Sequence, residues 1–428
     1  MNLTPLDRMT FRLYDLSWQI ALPFLKRNSR IAEGFIQRRY GPSGLPAPID
    51  LWIQAASAGE SYLAVTILEK FPPKKALKIL ITTNTRQGFD ILKASVSTRR
   101  HPLKQIYISY FPFDSPSTMM NMVRRLCPKV TIFLETEIWP GLLLALKKYN
   151  LPAVILNGRL SPKSLKNYLI YPTPFRAVAP KKISAISEAD AYRYSRLFTD
   201  TPVTIMPNIK FDRISFPDSP ICKQKSSLDH LFSLPASLVV FGSIRAEEEP
   251  LVKKIIAKLL HHLPHIRIAL FPRHMHRLNA WQNILDKNGL PWVFRSAITQ
   301  PVLEGTIILW DTFGELAAAY ALATTVFIGG SLANLGGQNF LEPLSFGVRP
   351  IIGPYWDNFF WIGQEIFSQN IAQRCANWQS VATALVNDFK SPVDPNKLKV
   401  QAQAYIQARQ GGALKACSLI EDMLVKAD

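Results

Sequence analysis

The stretch Phe327-Ile-Gly-Gly-Ser-Leu-Ala-Asn-Leu-Gly-Gly-Gln-Asn-Phe-Leu-Glu-Pro343 carries the most informative pattern in the chain. An apolar run, Thr325 to Ile328, stops at Gly329-Gly330-Ser331, and a second glycine pair follows at Gly336-Gly337. Asn339 and Glu342 then open an apolar helical pattern. Glycine lets backbone N–H groups close in on an anion, and a helix N-terminus adds partial positive charge there. A carboxylate one turn into the helix can accept hydrogen bonds from a ribose. One glycine pair alone would mark only a tight strand-to-helix turn. Both pairs, with their polar neighbours, predict a nucleotide pocket at a strand end.

That strand-loop-helix unit recurs along the chain. Apolar runs stand at Leu51 to Ala55, Leu77 to Thr82, Gln105 to Ile108, Val130 to Leu134, Ala153 to Leu156 and Ile183 to Ile186. Helical periodicity of roughly 10–15 residues follows each, the rhythm of βαβ units and a parallel sheet. It restarts at Leu238 to Phe241 and continues through Ile266 to Phe271, Thr306 to Leu309, Thr325 to Ile328 and Pro350 to Ile352. Between the halves, Phe211 to Pro235 holds Pro217, Pro220 and the polar run Lys223 to Asp229, which marks the domain junction. A last apolar helix, 395–426, has no strand after it and is free to pack back across the junction. The expected division is an N-terminal helical segment at 1–40, a first α/β domain at 41–212 and a second at 213–428. Ligands of open parallel sheets bind beyond the carboxyl ends of the strands. Polar motifs at those ends should therefore converge on an interdomain cleft.

Composition narrows the partners. The chain has 428 residues, more than one ordinary domain needs, and 48% are hydrophobic against 19% charged, which excludes disorder. Its net charge is +19, from 50 Lys+Arg against 31 Asp+Glu, so the expected partner is polyanionic: nucleic acid, an anionic membrane surface or a phosphorylated substrate. The basic residues fall in short groups such as Lys74-Lys75, Arg99-Arg100, Arg124-Arg125 and Lys181-Lys182, without a basic tail, which weighs against nucleic acid. Cys127, Cys222, Cys375 and Cys417 lie too far apart in sequence to suggest a disulfide framework. Leu13, Leu16, Ile20 and Phe24 recur at helical spacing, broken by Asp15, Gln19 and Pro23. This falls short of the roughly 20 apolar residues of a spanning helix. Followed by Lys26, Arg27, Arg30, Arg38 and Arg39, such a helix suits a membrane interface; packing on the protein's own core explains the same periodicity.

Several strand ends carry candidate chemistry. Ala56-Ser57-Ala58-Gly59-Glu60 puts a carboxylate in the first turn of a helix. Glu60 can act as a general base toward a hydroxyl, although from this motif alone complementing the helix dipole is the better explanation of its position. Thr82-Thr83-Asn84-Thr85-Arg86-Gln87-Gly88 suits phosphate or sugar hydroxyls, or ordinary N-capping. Glu135-Thr136-Glu137-Ile138-Trp139-Pro140 offers two carboxylates, but no D-x-D motif occurs anywhere, and no metal is expected. Asn157-Gly158-Arg159 ends the next strand, and Asn208-Ile209-Lys210-Phe211-Asp212 closes the first half, with Lys210 able to neutralise an anion. In the second half, Gly242-Ser243-Ile244-Arg245 precedes Glu247-Glu248-Glu249. Pro272-Arg273-His274 supplies a guanidinium suited to a phosphate, and Asp311-Thr312-Phe313-Gly314-Glu315 allows close backbone contact with a base or ribose. A Walker A loop, G-x-G-x-x-G and H-E-x-x-H are absent.

In order and spacing, these motifs resemble the 3-deoxy-D-manno-octulosonic acid (Kdo) transferase family of lipopolysaccharide synthesis. The matching segments are Ala55 to Glu60, Thr82 to Gly88, Phe113-Asp114, Glu135 to Pro140, Asn157 to Ser161, Asn208 to Asp212, Pro272 to His274, Asp311 to Glu315 and Gly329 to Pro343. The resemblance implies a GT-B fold, two Rossmann-like α/β domains whose parallel sheets face an interdomain cleft. It implies transfer of Kdo from CMP-Kdo to lipid IVA, a lipid A precursor, at the cytoplasmic face of the bacterial inner membrane. An inverting mechanism is implied, with CMP-Kdo as donor substrate and no cofactor. The family's catalytic base falls on Glu60 and its transition-state residues on Glu135 and Lys210. Its CMP contacts fall on Pro272 and Arg273, on Phe313, Gly314 and Glu315, and on Asn339, Phe340, Leu341 and Glu342. The chain departs from the family at Ala58, where Val is usual, at Gly158, where Ala is usual, and at Gln338, where His is usual. A related GT-B glycosyltransferase or epimerase using a UDP-sugar is the competing enzyme, and a basic nucleic-acid-binding protein the competing non-enzyme.

Overall fold

The computed structural model of the chain describes residues 3–27, 29–73, 75–98, 103–216, 228–232 and 237–427. Lys74, Arg99, Arg100, Cys222 and most of the polar junction stretch cited above lie outside them. Two compact units emerge, one of residues 1–214 with 409–428 and one of residues 215–408.

The first unit is built on a seven-stranded parallel sheet of β1 (Leu51–Gln54), β2 (Leu77–Thr83), β3 (Lys104–Tyr110), β4 (Val130–Leu134), β5 (Ala153–Gly158), β6 (Lys182–Ala185) and β7 (Val203–Ile205), in the order β3-β2-β1-β4-β5-β6-β7. The second unit repeats the plan with β8 (Leu238–Ile244), β9 (Arg267–Pro272), β10 (Trp292–Phe294), β11 (Ile307–Leu309), β12 (Thr325–Ile328), β13 (Pro350–Ile352) and β14 (Gln373–Arg374), ordered β10-β11-β9-β8-β12-β13-β14. Central strands such as β1, β4, β8 and β12 are almost wholly buried, because helices cover both faces of a parallel sheet. That double burial produces the continuous apolar runs read from the sequence. The strands without such a run, β7, β10 and β14, all lie at sheet edges and are short and partly exposed.

Two expectations are corrected. The single apolar helix over 395–426 is two helices, Pro395–Gln407 and Gly412–Val425. They part at Gly411, whose φ of 101° excludes most side chains, and at Gly412, where a Cβ would come 2.3 Å from the Pro207 carbonyl. The second helix therefore does not belong to a 213–428 domain. It buries Ala413, Ala416, Leu419 and Ile420 against Leu63 and Ile67 in the first unit's core. Asp212 fastens its start by accepting from the N–H groups of Gly411 and Ala413, each at 2.7 Å.

The N-terminal helix, Pro5–Leu25, begins at a capping box in which Thr4 and Asp7 satisfy each other's backbone N–H. Phe11 is buried on the first unit, whereas Leu6, Met9, Leu13, Leu16, Ile20 and Phe24 are at least half exposed. The apolar stripe is therefore not spent on the unit's own core. No helix among the described residues is long and apolar enough to cross a membrane.

Candidate active site

Helix Ala58–Lys70 follows β1, and its start places Glu60. Ser57 is the N-cap: its Oγ accepts from the Glu60 N–H at 3.3 Å, while Glu60 Oε2 accepts from the Ser57 N–H at 2.8 Å. The expected electrostatic role at the helix start is thus present. Its consequences go further, because Glu60 is only 4% exposed. Burial pushes Glu60 up to about 7, with nearby Glu135 adding to the rise and hydrogen bonds from Ser57 opposing it. Glu137 is driven up to about 8, first by burial and then by the charge of Glu60.

Glu135 sits at the end of β4 with φ at 56°, and Asn157 near the end of neighbouring β5 also has φ at 56°. Non-glycine residues enter this left-handed region at a cost of order 1–3 kcal/mol and hold it only when neighbours fix it. At Glu135 the neighbours are identifiable. Its carbonyl accepts from Tyr194 Oη at 3.0 Å and from the Arg159 N–H at 3.3 Å, and Tyr194 also reaches the Arg159 carbonyl at 3.2 Å. The Glu135 carboxylate pairs with Lys210 Nζ at 2.6 Å. Lys210 is placed by two amides: Asn208 Oδ1 accepts from its N–H at 3.0 Å, and Asn157 binds both Asn208 and the Ile209 N–H. Glu60, Glu135, Glu137 and Lys210 therefore form one assembly at the carboxyl ends of β1, β4 and β5 and the loop after β7. Tyr194 was not legible: it lies on the buried face of helix Glu188–Leu197, where an aromatic residue signals only core.

The second unit revises the reading of the glycine stretch. No α-helix stands between β12 and β13; a five-residue 3-10 helix, Glu342–Phe346, takes its place, so an α-helix dipole at Glu342 is ruled out as the source of positive charge. The loop's N–H groups do hold a carboxylate, but it is the chain's own Glu248. That side chain is fully buried and accepts from Gly330 N–H at 2.5 Å, Arg245 N–H at 2.9 Å and Leu332 N–H at 3.3 Å. Burial raises its proton affinity and these N–H groups oppose the rise. Gly329 is required because a Cβ would meet Glu248 Oε1 at 2.5 Å, and Gly336 combines φ at 78° with close approach to Asn358.

The other expected nucleotide residues are arranged unequally. Glu315 is already engaged: Arg295 grips it with two bonds at 3.0 Å, Thr312 donates at 2.7 Å and Trp310 at 2.9 Å. Burial works against the anion, but the Thr312 and Arg295 hydrogen bonds outweigh it and hold Glu315 below the ordinary range. Phe313 is 84% exposed, and Gly314 has φ at 85° with open space where a Cβ would be. Phe340 and Leu341 are buried, so their side chains belong to the core, and Asn339 Oδ1 accepts from the Leu341 N–H at 3.2 Å. Glu342 is raised by burial. Pro272 ends β9, and the Arg273 N–H is anchored on the Ile244 carbonyl at 2.7 Å. The imidazole of His274 stacks on that of His276, 5.5 Å between centroids. Arg245 has a buried Nε without a hydrogen-bond partner. Among the described residues, no group of three His, Cys, Asp or Glu is placed to hold a metal ion.

With this geometry in place, the chain can be set beside known proteins. The family described as 3-Deoxy-D-manno-octulosonic-acid transferase (kdotransferase) matches residues 28–213. A 3-deoxy-D-manno-octulosonic acid transferase of Haemophilus influenzae is 30% identical over 325 residues, covering 75% of this chain and 74% of that protein. The chain belongs to the Kdo transferase family. A Bordetella pertussis Kdo transferase is 26% identical over 418 residues, 93% of this chain and 95% of that protein. The architecture is shared more widely. An Anabaena protein solved in complex with UDP superposes with a TM-score of 0.55 at 12% identity, covering 88% of this chain and all of that one. A Rickettsia africae glycosyltransferase gives 0.55 at 10% identity over 89% of this chain and 99% of that one. These distant likenesses establish the GT-B fold, as the sequence resemblance implies. The Kdo transferase is accordingly a glycosyltransferase.

Proposed function

We propose that this transferase moves Kdo from CMP-Kdo to a hydroxyl of lipid IVA or a related lipid A precursor, with inversion and with Glu60 as general base. One observation carries the reading: a buried carboxyl with its proton affinity raised to near neutrality stands beside the Glu135–Lys210 pair. In the proposed step Glu60 takes the acceptor hydroxyl proton and the acceptor oxygen bonds to the anomeric carbon of Kdo. The bond from that carbon to the CMP phosphate oxygen breaks, and CMP leaves with the electron pair. Positive charge developing on the sugar is met by Glu135, a contribution on the order of 3 kcal/mol for a preorganised charge. Lys210 holds the Glu135 side chain in place through their ion pair. Within the second unit, Arg273 is the proposed phosphate contact and the open Phe313-Gly314 turn the proposed nucleotide contact. The exposed stripe of helix Pro5–Leu25 and the basic residues after it suit a peripheral seat on the cytoplasmic face of the inner membrane, where an anionic lipid acceptor would be met.

Incubation of the purified chain with CMP-Kdo and lipid IVA, products being weighed by mass spectrometry, tests the reading. A product heavier by Kdo residues is expected, and Glu60→Ala should abolish it while CMP still binds. Undiminished transfer by Glu60→Ala removes Glu60 as base, and tighter binding of UDP than of CMP rejects the donor.

A further inference from the structure

Asp114 is fully buried, outside the set of acids assigned above. It lies between β3 and helix Pro116–Leu126, yet its carboxylate serves a different helix. Oδ2 accepts from the Gly141 N–H and Oδ1 from the Leu142 N–H, both at 2.8 Å. These are first-turn groups of helix Pro140–Lys148, whose own N-cap, Trp139, makes no side-chain capping bond. Asp114 therefore caps that helix from a distant part of the chain, satisfying N–H groups that would otherwise be orphaned. The fit is close: a Cβ on Gly141 would come 2.1 Å from the Asp114 carbonyl oxygen. The segment entering this helix is Glu135-Thr-Glu-Ile-Trp-Pro140, the acidic loop of the site.

A third group completes the arrangement. Tyr14 Oη donates to Asp114 Oδ2 at 3.1 Å. Tyr14 belongs to helix Pro5–Leu25, the element with the exposed apolar stripe. Beside it, Asp15 Oδ1 accepts from Ser117 N–H at 3.0 Å and Ser117 Oγ at 2.9 Å, and Trp18 packs on Phe113 with ring centroids 5.5 Å apart. The helix is thus fastened on both sequence sides of Asp114.

We propose that Asp114 is a positioning residue for the acidic loop and that Tyr14 ties it to the N-terminal helix, so that seating this helix on a bilayer sets the geometry of Glu135 and Glu137. The inference rests on the catalytic reading of the acidic loop and on the membrane reading of the helix. Asp114 acts through the helix it caps and touches no reacting atom. Burial pushes its own carboxyl up to about 7 against the hydrogen bonds from Gly141, Leu142 and Tyr14, so Asp114→Asn stands for its neutral state. The groups facing Glu137 include Glu60, Glu135, Asp114, Tyr168, Tyr194 and Trp139. Removing the Asp114 charge lowers the proton affinity of Glu137.

The test uses the full chain with CMP-Kdo and lipid IVA, presented either in vesicles containing phosphatidylglycerol or in neutral detergent micelles. Tyr14→Phe is expected to lower kcat in vesicles about five- to tenfold, with the KM for CMP-Kdo unchanged and a smaller loss in micelles. Asp114→Asn is expected to lower kcat about tenfold or more in both settings, with the KM for CMP-Kdo unchanged. CMP titration gives the fraction of folded protein, to which each rate is normalised. Wild-type normalised kcat in both variants, or an unchanged vesicle-to-micelle ratio in Tyr14→Phe, overturns the link. The catalytic reading fails separately, through persistent activity of Glu60→Ala.

Discussion

The acids of the first unit's site and the acids engaged in the second unit are held in different ways. In the second unit Glu249 is held by two bonds from Arg277, at 3.0 and 2.6 Å, Glu315 by Arg295, Thr312 and Trp310, and Glu248 by three backbone N–H groups. These acids are struts whose hydrogen-bonding capacity is committed to the fold. In the first unit buried Glu60 and half-buried Glu137 stand near one another without a cation of comparable grip among the described residues, and burial raises the proton affinity of both, to about 7 and about 8. Of the site acids Glu60, Glu135 and Glu137, Glu135 is the one shown paired with a lysine. A committed carboxylate stabilises a loop, whereas one raised toward neutrality can exchange a proton. On the proposed reading, proton chemistry belongs to the Glu60 cluster of the first unit and nucleotide recognition to the second.

The sharpest way to break this division is Glu60→Gln. Loss of a general base should lower kcat roughly 10²- to 10⁴-fold with CMP affinity unchanged, read by steady-state rates beside calorimetric titration. In the wild type, kcat/KM should rise with pH up to about 7 and then level as Glu60 ionises, a limb missing from the variant. Stability should run the other way. A carboxyl whose folded affinity is raised favours the folded state fully below the unfolded value near 4.5, and that advantage is lost as pH rises through about 7 for Glu60 and about 8 for Glu137. Melting temperatures between pH 5 and 9 should fall less steeply in Glu60→Gln; an identical slope would mean that Glu60 titrates normally.

A strut should fail differently. Glu248→Ala would leave the N–H groups of Gly330, Arg245 and Leu332 without their buried acceptor, costing about 3 kcal/mol or more of stability. CMP affinity and melting temperature should fall together in this variant. Weakened CMP binding at an unchanged melting temperature would instead make Glu248 a ligand contact.

The same contrast explains what could be read beforehand. Both sheets were legible because strands buried on two faces must be continuously apolar, as in Val130 to Leu134 and Thr325 to Ile328. β7, β10 and β14 left no such trace, since an edge strand buries too little to need one. Ser57 and Glu60 are three residues apart, so their capping box is a local pattern. The anion held by the glycine loop was not legible: Glu248 lies 82 residues before Gly330, and it is the pairing of β8 with β12 that brings their surroundings together. Tyr194, 59 residues from Glu135, is obscured for the same reason.

Tyr194→Phe tests how the first unit keeps its strained loop. The hydroxyl supports two carbonyls, so its removal should relax Glu135 and lower kcat about tenfold, with CMP affinity and the pH limb of Glu60 unchanged. Glu135→Asn provides the complement: asparagine tolerates the left-handed backbone but lacks the charge, so it should fold normally and still lose transfer.

The smallest expected effect bears most directly on the second unit. Phe313 is 84% exposed and Gly314 leaves open space beside it. A side chain so exposed contributes little to folding, so Phe313→Ala should leave the melting temperature unchanged. Stacking on a nucleotide base is worth about 1 kcal/mol at the low end, so CMP should bind roughly fivefold more weakly. The loss should appear equally in CMP binding and in KM for CMP-Kdo, with kcat preserved, because the contact is made before and during transfer alike. Were kcat to fall instead, the turn would belong to the chemistry, and the separation of proton exchange from recognition would not hold at this position.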